Sequence, residues 1–237
     1  KKKKNGTVHL MSGLKLAIWD VDGTLVDSRT SIHEIMVEAF TLSALTPPEY
    51  DATRRIVGLS LHEACGQLAP DANAAEIDRL VNDYRESWVR ARARPDFTQP
   101  LYDGALETLE MLREEGWLIA MATGKTHKGI DSLFAAYDIQ HFFDTVWCAD
   151  DGPGKPHPHM VEQAMGALGC APHESLMIGD AIHDISMGRA AGVYTHGVSW
   201  GFGAAHELEE VGAHEIHHEF DTLRKSLLAF DPEVSQN

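Results

Sequence analysis

The chain has little positive charge for its length. Its 237 residues carry 20 Lys and Arg against 36 Asp and Glu, a formal net charge of −16. It lacks the basic footprint that neutralising a nucleic-acid backbone requires, so no nucleic-acid partner is expected. An anionic small molecule would need a local island of positive charge, such as a metal ion or a placed lysine. Long apolar runs are missing too. None approaches the ~20 residues that cross a bilayer, and no secretory signal pattern stands out, so no membrane partner is expected. Cysteine is scarce. Cys65, Cys148 and Cys170 show no metal-ligand spacing and read as ordinary thiols of a reducing compartment, the cytoplasm. Cys148 has no histidine partner in a recognisable sequence arrangement. There is neither an internal repeat nor a low-complexity linker.

Apolar residues make up 43% of the chain, enough for a sizeable core in one or two domains. Residues 1–10, "KKKKNGTVHL", differ in character from the rest of the chain and read as an added or disordered segment, with Met11 as a natural beginning. Histidine is abundant, with 14 residues. The densest group, "HEIHH" at 214–218, has no accompanying Cys or carboxylate geometry and reads as a solvated segment rather than a metal site.

Residues 16–28 read "LAIWDVDGTLVDS". Leu16 to Trp19 is continuously apolar, as a strand covered on both faces should be. It runs straight into Asp20 and Asp22. Asp-Gly is a common turn dipeptide, but such a pair also displays two carboxylates at the end of a buried strand. Ser31 and Glu34 have capping-box spacing, and Ile32, Ile35, Met36, Ala39 and Phe40 come after them at helical intervals. From Ser31 to about Arg94 the pattern is helical, broken at "TPPEY" (46–50) and "LAPDANAA" (68–75). From Pro100 helices alternate with strands. Apolar strands are expected at 117–124, 143–149, within 175–184 and at 192–200, and Pro158 opens a helix. This alternation predicts an α/β fold: a Rossmann-like three-layer core around a central parallel sheet, plus an inserted α-helical cap. The expected boundaries are residues 11–26 and 99–237 for the core and 27–98 for the cap.

In a parallel sheet all carboxyl ends lie on one edge, where ligands bind. That edge would collect Asp20 and Asp22, Thr123 and Gly124, Lys155 in the loop "GPGKPHP", and Asp180 with Asp184 one helical turn on. Clustered carboxylates repel one another and call for a cation. An all-oxygen set beside a phosphate suits Mg²⁺.

The ordered set "DVDGT", "MATGK", "GKPHP" and "GDAIHD" resembles the haloacid dehalogenase superfamily. A helical insertion directly after the first motif looks like its phosphatase branch with an α-helical cap. "ATGKTHKGID" and "GVSWGFG" look closest to phosphoglycolate-phosphatase-like members. The resemblance implies a phosphoric monoester hydrolase acting on a small phosphorylated metabolite. Asp20 would be the nucleophile that forms an aspartyl-phosphate, and Asp22 the general acid and base. Thr123 and the backbone at Gly124 would hold phosphate oxygens, and Lys155 would neutralise charge on the phosphoryl group and Asp20. Asp20, Asp180 and the carbonyl of Asp22 would bind Mg²⁺, with Asp184 a ligand or orienting one, directly or through water. Gly23 and Thr24 would shape the turn that aims Asp22. Members that cleave carbon–halogen bonds lack an acid/base at the position of Asp22, so this residue argues for phosphoryl transfer.

The cap would select the substrate. Arg54, Arg55 and His62 are positioned in sequence either to reach an anionic leaving group or to form a solvated helix face. His183 reads as exposed helix surface. Two alternatives stay open at this level: a phosphosugar mutase on the same chemistry, and a catalytically idle binding protein on the same fold. The chain is expected to be a monomer or a homodimer.

Overall fold

The structure, a computed structural model, describes residues 13–233; the segment 1–10 and Met11 lie outside them. The elements run β1 (Leu16–Trp19), α1 (Arg29–Leu42), α2 (Tyr50–Ile56), α3 (Leu61–Leu68), α4 (Ala74–Arg92), α5 (Ala105–Glu114), β2 (Leu118–Thr123), α6 (His127–Ala136), β3 (Thr145–Cys148), α7 (His159–Leu168), β4 (Ser175–Gly179), α8 (Ile182–Ala190), β5 (Tyr194–Val198), α9 (Ala205–Glu210), β6 (Glu215–His217) and α10 (Phe220–Ala229). The strands form one sheet in the order β3-β2-β1-β4-β5-β6, with every pairing parallel.

The unbroken apolar run of β1 reflects its central place. Leu16 and Ile18 enter the layer that holds Met160, Val161 and Ala164 of α7. Ala17 and Trp19 enter the opposite layer, with Leu109 and Leu112 of α5 and Leu223 and Leu227 of α10. A strand with both faces covered has no polar side to show. Its parallel neighbours place Trp19 level with Met121 and Ile178.

Helices α1–α4 build a core of their own around Met36, Phe40 and Leu80, which Phe202 joins from the sheet side. The two connections to this helical segment run side by side. The Asp27 amide donates to the Pro100 carbonyl at 2.8 Å, and the Tyr102 amide to the Leu25 carbonyl at 2.9 Å. No helix among the described residues is long and apolar enough to cross a membrane.

Two local expectations are corrected. Helix α1 starts at Arg29, so Ser31 lies inside it and donates to the Ser28 carbonyl at 3.1 Å instead of capping. Asp27 takes the N-terminal role, its carboxylate accepting from the Arg29 amide and guanidinium. The second correction concerns "HEIHH". Residues 215–217 form the edge strand β6, and only part of the segment is solvated. His217 is buried, with Nε2 2.8 Å from Nδ1 of buried His196, and His214 stacks on Tyr194. A strand of three residues carries too little periodicity to be seen in sequence.

These histidines tie stability to pH. Burial, reinforced by His217 and His214, pushes His196 down to about 3, and burial also lowers His214 and His217. In the unfolded chain these histidines take up protons below about pH 6.5, while in the folded chain each resists, His196 until about pH 3. The stability that these histidines contribute is therefore fully present above about pH 6.5 and is lost as pH falls below it. For His196 alone the loss at pH 5 is about 2 kcal/mol. Urea midpoints at pH 7.5 and pH 5 should differ by less in His196→Gln than in the wild type. An identical pH dependence in the two proteins would contradict this assignment.

Candidate active site

The sheet order makes its turn at β1. From there the chain builds outward to β2 and β3 on one side, then to β4, β5 and β6 on the other. In such sheets the crevice at the switch point, outside the carboxyl ends, is where ligands sit. Asp20 lies just past the last residue of β1, and its amide still continues the ladder by donating to the Ile178 carbonyl at 3.0 Å. Thr123 closes β2, Cys148 closes β3 ahead of the Lys155 loop, and Asp180 lies just past β4. The residues expected at one edge do come together there.

Lys155 is the centre of the arrangement. Its side chain is 0% exposed, hydrogen-bonded to Asp20 Oδ1 and 2.6 Å from Asp184 Oδ1. Burial opposes its charge, but Asp184 and Asp20 more than offset that, and its pKa is raised. Asp184 Oδ2 accepts the Ala181 amide at 3.0 Å, so the first turn of α8 fixes its angle. Asp180 accepts from Thr24 Oγ1 at 2.9 Å and from the Phe202 amide at 2.7 Å. Asp20, Asp180 and Asp184 are all buried, and one oxygen from each falls within 4.8 Å of the others. Two of the three carboxylates, Asp20 and Asp184, thus share one lysine, and Asp180 has none of it. Burial pushes Asp20 up to about 7 against the pull of Lys155, with Asp184 and Asp22 adding repulsion. Burial, with Asp20 and Asp184, raises Asp180 well above the carboxylate range. Hard oxygen donors with surplus negative charge in a buried pocket fit a divalent cation.

Backbone closes around Asp180. A Cβ on Gly23 or on Gly201 would come within 2.2 Å of Asp180 Oδ2, and Gly23 has φ +89°. The turn of "DVDGT" and the loop of "GVSWGFG" therefore meet at this carboxylate.

Asp22 is placed differently from Asp20. Its side chain is 15% exposed and pairs with Lys125 Nζ at 2.8 Å. Both residues line a cavity of about 350 Å³ between the strand ends and helices α1–α4. Gly124 lines it too, while Thr123 is buried below, its Oγ1 accepting from the Lys125 amide at 3.2 Å.

The three cap residues expected from sequence do not reach this cavity. Arg54 makes a two-pronged pair with Glu207 at 2.7 and 2.9 Å and also binds Asp51. Arg55 pairs with Asp51 at 2.9 Å, and exposed His62 lies 3.3 Å from Asp78. Carboxylates of the helical segment and of α9 hold them elsewhere. The cavity instead receives Tyr84, Trp88 and Arg92 from α4, spaced four apart on one face. That spacing was readable in the sequence, as was Lys125 inside "MATGK". His183 is not bare surface either, since its Nε2 donates to the Arg55 carbonyl at 2.9 Å. Cys148 does have a histidine beside it: His127 Nδ1 is 3.5 Å from its sulfur. Burial pushes that thiol up to about 12, so it is no nucleophile at neutral pH.

The profile of the haloacid dehalogenase-like hydrolases matches residues 17–198. A protein of Dickeya dadantii named probable phosphatase IndB is 32% identical over 196 residues, 82% of this chain and 85% of its own. Pyrophosphatase PpaX of Bacillus pumilus is 30% identical over 194 residues, 80% and 85% of the two chains. Among solved structures, a hydrolase from Pseudomonas syringae superposes with a TM-score of 0.81 over 92% of this chain and 99% of its own, at 24% identity, which speaks for the fold.

The shared lysine sets a stability test. Lys155→Met leaves buried carboxylates without their counter-charge and should cost about 3–5 kcal/mol in EDTA. Urea denaturation measures it, and a variant as stable as the wild type would contradict the pairing described.

Proposed function

Because this chain belongs to the haloacid dehalogenase-like hydrolases, we propose that it is a Mg²⁺-dependent phosphatase that hydrolyses a small phosphomonoester through an aspartyl-phosphate on Asp20. The observation that carries this reading is the unequal placement of the two aspartates. Both line the cavity, but Asp20 is buried and hydrogen-bonded to Lys155, while Asp22 is partly exposed and paired with Lys125. A nucleophile must be fixed in line with phosphorus, whereas an acid/base must reach both a leaving oxygen and a water.

Asp20 attacks phosphorus, and Lys155 offsets the charge gathered on the phosphoryl oxygens. Thr123 and the Gly124 backbone hold those oxygens. Incoming phosphoryl oxygens compete with Asp22 for Lys125, which leaves Asp22 able to carry the proton it gives to the leaving group. Asp22 then takes a proton from the water that cleaves the aspartyl-phosphate. Bound Mg²⁺, held by Asp20, Asp180 and the carbonyl of Asp22, would neutralise phosphoryl charge. Asp184 acts mainly by positioning Lys155, its direct partner at 2.6 Å.

The cavity of about 350 Å³ lies at the low end for ligand pockets of roughly 300–1,000 Å³. That supports a small metabolite of the phosphoglycolate class, with Arg92 and Lys125 among the cations lining the cavity that are available to its leaving group. Residues 27–98 act as a lid. The paired crossings at Asp27–Pro100 and Leu25–Tyr102 serve as its hinge, and Arg54–Glu207 latches it to α9. Closing excludes water while Asp20 is phosphorylated, and opening admits it. The three unbridged, buried cysteines support a cytoplasmic setting.

Phosphate release from a panel of phosphomonoesters should require Mg²⁺ and stop in EDTA. Asp20→Asn should abolish turnover even with an activated aryl phosphate. Asp22→Asn should lose roughly 10²–10⁴-fold on alkyl phosphates and should accumulate trapped phosphoenzyme. Phosphorylation surviving in Asp20→Asn, or full activity after chelation, would overturn the reading.

A further inference from the structure

The end of β3 carries a second constellation that phosphoryl chemistry does not use. Cys148 is fully buried, and its sulfur lies 3.5 Å from His127 Nδ1 and 3.7 Å from Nε2. Asp151 Oδ1 lies 3.0 Å from His127 Nε2, and Asp151 Oδ2 accepts the Cys148 amide at 2.8 Å. One ligand atom from each of the three falls within 4.8 Å of the others. These spacings can be compared with those that metal bonds dictate. A tetrahedral zinc with ordinary bond lengths holds sulfur and nitrogen about 3.6 Å apart, and nitrogen and oxygen about 3.3 Å apart. The observed 3.7 Å and 3.0 Å differ from these by only a few tenths of an ångström.

We propose that His127, Cys148 and Asp151 form a binding site for a thiophilic divalent cation of the zinc class, separate from the oxygen-only pocket of Asp20, Asp180 and Asp184. On binding, the Cys148 thiol gives its proton to solvent and the sulfur coordinates as thiolate. His127 coordinates through Nε2 as neutral imidazole, with its proton on Nδ1. Asp151 supplies Oδ1. Water completes the fourth position, because the His127 side chain is 62% exposed. Ligand type sorts the two sites: thiolate and imidazole select zinc or cobalt, and carboxylates select magnesium.

The place of this site gives it leverage. His127 opens α6, two residues after Lys125, and Asp151 lies in the loop that leads to Lys155. The two turns are already laced together. The Ala149 amide donates to the Lys125 carbonyl at 3.0 Å, and the His127 amide to Asp150 Oδ2 at 2.8 Å. A cation here clamps the loops that carry both lysines of the candidate active site. The proposal stands on these three residues and does not require the chain to be a phosphatase.

Cobalt titration of the full chain in excess Mg²⁺ tests it by absorption. One equivalent should produce a thiolate-to-cobalt charge-transfer band together with the intense visible bands of four-coordinate cobalt. Both should persist in Asp180→Asn and vanish in Cys148→Ala. His127→Ala, at an exposed position where folding is not at stake, should also lose them. Cobalt binding without the charge-transfer band, or a band that survives in Cys148→Ala or His127→Ala, would overturn the proposal.

Discussion

Everything at the carboxyl edge of the sheet depends on one buried ammonium group. Lys155 lies between Asp20 and Asp184 with no access to solvent. A charge removed from water is tolerated only when paired and hydrogen-bonded. Lys155 satisfies that condition with two carboxylates, and the pocket still holds a third, Asp180, which has none of the lysine. The fold itself thus overfills the site with negative charge. That surplus fits a divalent cation at this edge.

The fold supplies this crowding through strand ends rather than through local sequence. Asp20, Asp180 and Lys155 come from three separate strand–loop junctions, and only the parallel ladders that join β3, β2, β1 and β4 bring them level. Thr24 and the Phe202 amide then hold Asp180, while Gly23 and Gly201 leave room for backbone on both sides of it. Phe202 also enters the packing of α1–α4, so the loop that orients Asp180 is the one on which the helical segment rests. Arg54 reaches the same loop, donating to the Phe202 carbonyl at 3.3 Å. Electrostatics at the strand ends and the seating of the helices are therefore coupled through a few residues.

Much of this was legible in the sequence because it is written in strong local patterns. The apolar run Leu16–Trp19, the helical spacing in α1, and the ordered motifs at Asp20, Thr123, Lys155 and Asp180 each carry their own signal. What escaped depends on tertiary pairing. Arg54 was a reasonable substrate contact until Glu207, 153 residues away, claimed its guanidinium. His217 looked solvated because its partner, His196, lies on another strand. Cys148 looked solitary because His127 meets it only across two neighbouring turns. Arg92 and Lys125 were visible as residues, but their shared cavity exists only once α4 lies over the end of β2.

The proposed phosphoryl acceptor is Asp20, in a pocket organised by Lys155 and a cation. A crystal structure grown with Mg²⁺ and beryllium fluoride, a mimic of an acyl-phosphate, tests it most directly. The fluoride adduct is expected on an Asp20 carboxylate oxygen, with its fluorines near Thr123 and Lys155 and the metal between Asp20 and Asp180. An adduct on any other residue, or a metal bound away from Asp180, would contradict it.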